Sequence, residues 1–175
     1  MEELIDVLDE KQQLIGHTTR QQAHKSGVWH RAVHGYLINS KGEIVMQRRS
    51  ADKDLYPGYW DGSFAGHVDA GESTLKAAVR ECEEELGIKV NADELEYVFT
   101  TPESMVWGDL CNNEFVDAFI CRKDFGKFSK QDSEVSEIKV VPIEEFIKMI
   151  ESRDKNLFPH YPEFDNLIPV LRKLK

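Results

Sequence analysis

The sequence predicts an α/β fold in which a mixed sheet is covered by helices. Three observations predict it. Strand-type and helix-type segments alternate along the chain, turn signals join strands into hairpins, and residues 73–86 carry the period and end signals of an amphipathic helix. At 175 residues the chain suits one domain, 1–175, with about 1–28 as an N-terminal hairpin and short-helix extension. Hydrophobic residues make up 41%, enough for one core without disulfide or metal staples.

The opening ELIDVLDEKQQLIGHTT reads as two short strands about the polar turn Asp9 to Gln12. Thr19 to Lys25 reads as a short helix stopped by Ser26 and Gly27. The runs HRAVHGYLI and EIVMQRR flank Asn39-Ser40-Lys41-Gly42 and predict a β-hairpin. Asp52 to Asp69, with Pro57, Gly58, Gly62 and Gly66 among aromatics, reads as a long loop with a brief strand near Ser63 to Val68. Ser73 to Leu86 is a helix with a capping hydroxyl at its start and Gly87 at the C′ position. Strands follow near Leu95 to Thr101 and Glu114 to Cys121. Pro142 fits the first turn of a helix reaching about Glu151, and Asp165 to Leu174 reads as a final helix restricted by Pro169.

Composition excludes several functions. Acidic residues outnumber basic ones by 32 to 22, which argues against nucleic-acid partners but not against a small phosphorylated substrate bridged by a divalent cation. No apolar run is long enough to span a membrane. The acidic start MEELIDVLDE lacks signal-peptide features. Three cysteines, an odd number with no CxxC, read as reduced thiols in a cytoplasmic protein.

On a helical wheel Leu75, Val79, Cys82 and Leu86 share a stripe that reads as the buried face. Glu81, Glu84 and Glu85 share another arc, while Glu83 points elsewhere. Like charges at this spacing repel by about 0.2–0.5 kcal/mol per pair, and they sit at the helix end that disfavours negative charge. The arc reads two ways: as a solvated acidic face, or as a site for a hard cation. Oxygen-only ligands favour Mg²⁺ or Mn²⁺.

The run GHVDAGESTLKAAVRECEEELGI, from Gly66 to Ile88, matches the pattern G-x5-E-x7-R-E-U-x-E-E-x-G-U at Gly66, Glu72, Arg80, Glu81, Glu84, Glu85 and Gly87. Cys82 and Ile88 occupy the bulky apolar positions, U. The chain therefore resembles a Nudix hydrolase. The resemblance implies an α/β/α sandwich with a mixed sheet and a loop–helix–loop box. It implies that Glu81, Glu84 and Glu85, with the Gly66 carbonyl, hold Mg²⁺, and that Arg80 and Glu72 orient the glutamates. The implied reaction is hydrolysis of a diphosphate linkage in a small substrate, a nucleoside diphosphate joined to another group. Its base is Glu84, Glu81 or an outside glutamate: Glu103, Glu114 or Glu134. Arg80 and Glu114 complete the catalytic set. Nudix proteins often form dimers, so the resemblance also implies a homodimer as an expected partner.

A narrower resemblance covers about Leu4 to Val68. The pieces AHKSGVWHRAV, QRRS, YPGYWD and GHV are similar to the branch containing type I isopentenyl-diphosphate isomerase. It implies a metal site at His24, His30, His67 and Glu114. The isomerase's proton-moving cysteine is replaced by Ala65, and the box glutamates are complete. Both departures favour hydrolysis over isomerisation. A non-catalytic Nudix-fold sensor is the remaining alternative. Tyr56, Tyr59, Trp60 and Phe64 read as packing the loop onto the core, with stacking on a nucleobase as the alternative, and Trp107 and Phe115 read as packing or as pocket lining. At most one of Arg48 and Arg49 can face the site, because neighbouring strand residues point opposite ways. His17, His34 and His160 have no motif and read as structural. The tail LFPHYPEF reads as a C-terminal anchor.

Overall fold

A computed structural model describes residues 3–174. The opening hairpin is present as β1 (Leu4–Leu8) and β2 (Leu14–Thr19), paired antiparallel. Helix α1 (Arg20–Ser26) starts where the Thr19 side chain caps Gln22 N–H and ends at Gly27, whose φ of 67° is left-handed. Strands β3 (Trp29–Ile38) and β4 (Glu43–Arg49) follow, then β5 (Trp60–Asp61), β6 (Phe64–His67) and α2 (Thr74–Leu86). After a 3₁₀ turn come β7 (Leu95–Trp107), β8 (Leu110–Arg122), β9 (Val135–Pro142), α3 (Ile143–Glu151) and α4 (Tyr161–Arg172).

The predicted β3–β4 hairpin is corrected. The two strands pair in register only at Ile38 and Ile44 and then diverge. β3 instead runs parallel to β8 over its whole length and takes β6 on its other side. β4 pairs with β9 and with short β5. The Ser63 hydroxyl spans the gap, accepting from Leu37 N–H and donating to the Val45 carbonyl, each at 2.7 Å.

The sheet is mixed, as expected, and helices cover both faces. Residues of β3 alternate between two cores. Val33 and Leu37 pack with Phe64, Ala78, Cys82 and Leu86 under α2. Tyr36 and Ile38 pack with Phe146, Ile147, Phe164 and Leu167 under α3 and α4. Gly35 is needed at the crossing, because a β-carbon there would lie 1.9 Å from the Phe64 ring.

Other boundaries also differ. β7 continues past Thr101 through Pro102, which an edge strand tolerates, and forms a long hairpin with β8. β9 was not expected; it is half exposed, so its apolar alternation is weak. Pro142 ends β9 at the cap position of α3 instead of lying in the first turn. α4 begins four residues early because Pro162 fits its first turn. Among the described residues no helix is long and apolar enough to cross a membrane.

Candidate active site

Helix α2 presents the box residues. Ser73 caps it, accepting from Lys76 N–H, and Gly87 closes it at φ 69°. Its buried face differs from expectation: Glu81 and Glu85 are only 8% and 2% exposed, whereas Leu75 and Val79 are partly exposed at the core margin. The acidic arc is therefore no solvated face. Glu84 alone of the three stays half exposed, its side chain 50% accessible.

Each glutamate is held differently. Glu85 accepts from Gln47 Nε2 and from Ala65 N–H at 3.0 Å. Arg80 donates through Nη1 to Glu81 at 2.6 Å and to Glu84 at 3.3 Å. Its Nε and Nη2 fork onto Glu72 at 3.2 and 3.0 Å, and Nη2 also reaches the His67 carbonyl. Burial, reinforced by neighbouring Glu85, pushes the Glu81 carboxyl up to about 8. Burial also raises Glu85. Two buried carboxylates one helical turn apart, with Arg80 on only one of them, favour a further cation or a proton.

Four residues from four elements meet beside them: His24 of α1, His30 of β3, His67 of β6 and Glu114 of β8, with one donor atom from each within 4.8 Å of the others. The closest spacings are 3.2 Å between His24 and His67 Nε2, 3.3 Å from His67 Nε2 to Glu114, and 3.5 Å from His30 Nε2 to Glu114. His30 Nδ1 meets the Val28 carbonyl at 3.0 Å, and its buried Nε2 has no hydrogen-bond partner. Burial pushes His24 down to about 4 and His67 down to about 3, leaving them neutral. Burial would raise Glu114, but the His30 and His67 imidazoles, 3.5 and 3.3 Å from its carboxylate, hold it well below the usual carboxylate range.

The NUDIX domain family model matches residues 28–161. The chain belongs to the Nudix family. It is 36% identical over 182 aligned residues to Nudix hydrolase 3 of Arabidopsis thaliana, covering 98% of this chain but only 24% of that protein. It is 30% identical to an uncharacterized Nudix hydrolase of Clostridium acetobutylicum, over 90% of this chain and 78% of the relative. A Deinococcus radiodurans crystal structure shares the fold, with TM-score 0.70 and 22% identity over 98% of both chains.

In this Nudix domain the box glutamates and His24, His67 and Glu114 of the histidine cluster open into one cavity of about 180 Å³. Arg49 lines it while Arg48 turns out towards Glu137, as strand alternation requires. Lys53, also in the wall, pairs with Glu134. Glu103 is buried behind the wall and accepts from His160 Nδ1 at 2.7 Å, while Glu114 is enclosed by histidines. The aromatics divide between roles. Phe64 is core, whereas Tyr56 packs at 4.3 Å on Trp107 and at 4.4 Å on Phe158, a residue of the cavity wall.

The sequence reading missed His34, His160 and Asp61 as wall residues of the Nudix cavity. The signal was faint: two histidines that end buried, in a strand and in the tail. The tail does anchor the C-terminus through buried Leu157 and Phe158, and it supplies part of the wall.

Proposed function

We propose that this Nudix hydrolase cleaves a diphosphate linkage in a nucleoside diphosphate joined to a second group, using Mg²⁺ at Glu81, Glu84, Glu85 and the Gly66 carbonyl. The burial of Glu81 and Glu85, which line the same cavity as Glu84, carries the reading. Oxygen-only donors fit a hard cation. When bound, Mg²⁺ offsets phosphate charge and acidifies a water. The chain's residues do the rest. Arg80 fixes Glu81 and Glu84, Gln47 and the Ala65 N–H fix Glu85, and Arg49 and Lys53 attract phosphate oxygens. Glu84, the most solvated of the three, accepts the proton from water. Glu114 serves the histidine cluster instead of the reaction. Ala65 offers no group for moving a proton at carbon, which disfavours isomerisation.

The test is a panel headed by nucleoside di- and triphosphates, run with Mg²⁺ and Mn²⁺. Replacing the proton acceptor, Glu84→Gln, is expected to lower turnover by roughly 10²–10⁴-fold with the fold intact. Unaltered turnover of that variant would refute the assignment.

A second reading concerns His24, His30, His67 and Glu114, which suit one transition-metal ion. Donor spacings of 3.2–3.5 Å match neighbouring ligands around an ion at about 2.0–2.1 Å, and the Val28 carbonyl orients His30 from behind. Elemental analysis is expected to find about one Zn²⁺ or Mn²⁺ per chain, lost in His67→Ala and retained in Glu84→Gln. Equal metal content in wild type and His67→Ala would remove this centre.

A further inference from the structure

We propose that His34 and His160 form an oxyanion pocket in the cavity wall, which takes a phosphoryl oxygen of the substrate. The identity of the ligand rests on the diphosphate reading above; the existence of the pocket does not.

Both imidazoles are locked from behind by carboxylates. Glu163 meets His34 Nδ1 at 2.6 Å, and its other oxygen accepts from the Tyr36 hydroxyl at 2.8 Å. Glu103 meets His160 Nδ1 at 2.7 Å. The two rings stand edge to face with centroids 4.5 Å apart, and Phe158 stacks on His160 at 3.8 Å with an interplanar angle of 7°. Neither ring can turn without breaking a buried contact. With Nδ1 committed, each ring has only Nε2 left for the cavity.

His160 Nε2 is buried and has no hydrogen-bond partner. Asp61 Oδ1 lies 3.5 Å away, but Asp61 is already engaged by Gly62 N–H at 2.7 Å and by Arg49 Nη1 at 3.4 Å. A buried donor whose nearest acceptor is a shared carboxylate oxygen at 3.5 Å is only weakly satisfied, so a closer ligand oxygen would be favoured there.

The local charges support a donor. Burial alone would make His160 and His34 neutral, but Glu103 and Asp61 hold His160 well above the usual histidine range, and Glu163 raises His34. Glu103, Asp61 and Glu163 thus lie around His34, His160 and Arg49, and these carboxylates favour the protonated imidazoles. The pocket is therefore built for an anionic oxygen.

The experiment uses the full chain with divalent ions chelated, so the box makes no contribution. Pyrophosphate binding is followed by calorimetry and by ¹⁵N shifts of the imidazoles. His160→Gln and His34→Gln are each expected to weaken pyrophosphate about tenfold, the loss of one charge-assisted hydrogen bond. The His160 Nε2 resonance of the wild type is expected to move on saturation. Inorganic phosphate should bind at least several-fold more weakly than pyrophosphate. Equal affinity in the variants, loss only in Lys53→Gln, or phosphate binding as tightly as pyrophosphate (a site for a released ion) would each overturn the proposal. Should the variants fail to fold, an unmoved wild-type Nε2 resonance overturns it. Hydrolysis by Glu84→Gln tests the other reading separately.

Discussion

Gly66 and Glu81 are so close that a β-carbon on Gly66 would lie 2.1 Å from the Glu81 carboxyl. The first residue of the box thus makes room for a glutamate 15 positions later. Gly66→Ala is expected to push Glu81 aside by about an ångström, and displacement on that scale costs about 10²-fold in rate. Steady-state turnover with an unchanged circular dichroism spectrum would show it. Wild-type turnover in this variant would mean that Glu81 need not sit where it does.

Ser63 replaces a missing stretch of β-ladder. Its buried hydroxyl joins Leu37 N–H to the Val45 carbonyl where β3 and β4 part. Ser63→Ala strands a buried donor and acceptor, so stability should fall by about 1–3 kcal/mol. A lower urea midpoint at constant m-value is the expected readout. No shift in midpoint would show that water or backbone movement fills the place.

Thiol reactivity should be confined to one residue. Burial pushes Cys82 up to about 12 and Cys121 up to about 11. Cys111 is partly accessible, and all three thiols are free. In the native state one thiol should react with a disulfide reagent at pH 8, and two more only after unfolding. Three fast equivalents in the native protein would contradict the packing of α2 on the sheet.

The His160 network predicts a pH dependence of stability. Its folded value lies well above 6.5 because Glu103 and Asp61 outweigh burial, so its contribution is complete below about pH 6.5 and fades as pH rises through the elevated value. Asp61 acts oppositely. It is held well below its ordinary 3.8 by His160 and Arg49 despite burial, so its contribution is present above about pH 3.8 and is lost as pH falls below. Urea midpoints measured from pH 6 to 10 should decline in the wild type and decline less in His160→Gln. Parallel curves would show that His160 is not charged in the folded state.

Much of the candidate site was legible in the sequence. The Gly66 to Ile88 run identified the family, because its roles are local: caps at Ser73 and Gly87, and glutamates three and four residues apart. The β3–β4 turn was legible too, but its extension was not. Turn chemistry acts on four residues, whereas the partners of β3 and β4 are decided by β8 and β9, far along the chain. The burial of Glu81 and Glu85 was equally hidden, since a wheel shows which side chains share an arc but not what lies against it.

The sequence by itself determined a Nudix domain, its α/β class and the helix that carries the box carboxylates, because helical period and motif spacing are properties of adjacent residues. Tertiary structure decided which strands lie beside β3, and so drew His24, His30, His67 and Glu114 to one point and set His34 against His160. Those side chains come from separate elements, and only the long-range sheet register, fixed by burying both faces, brings them within reach of one another.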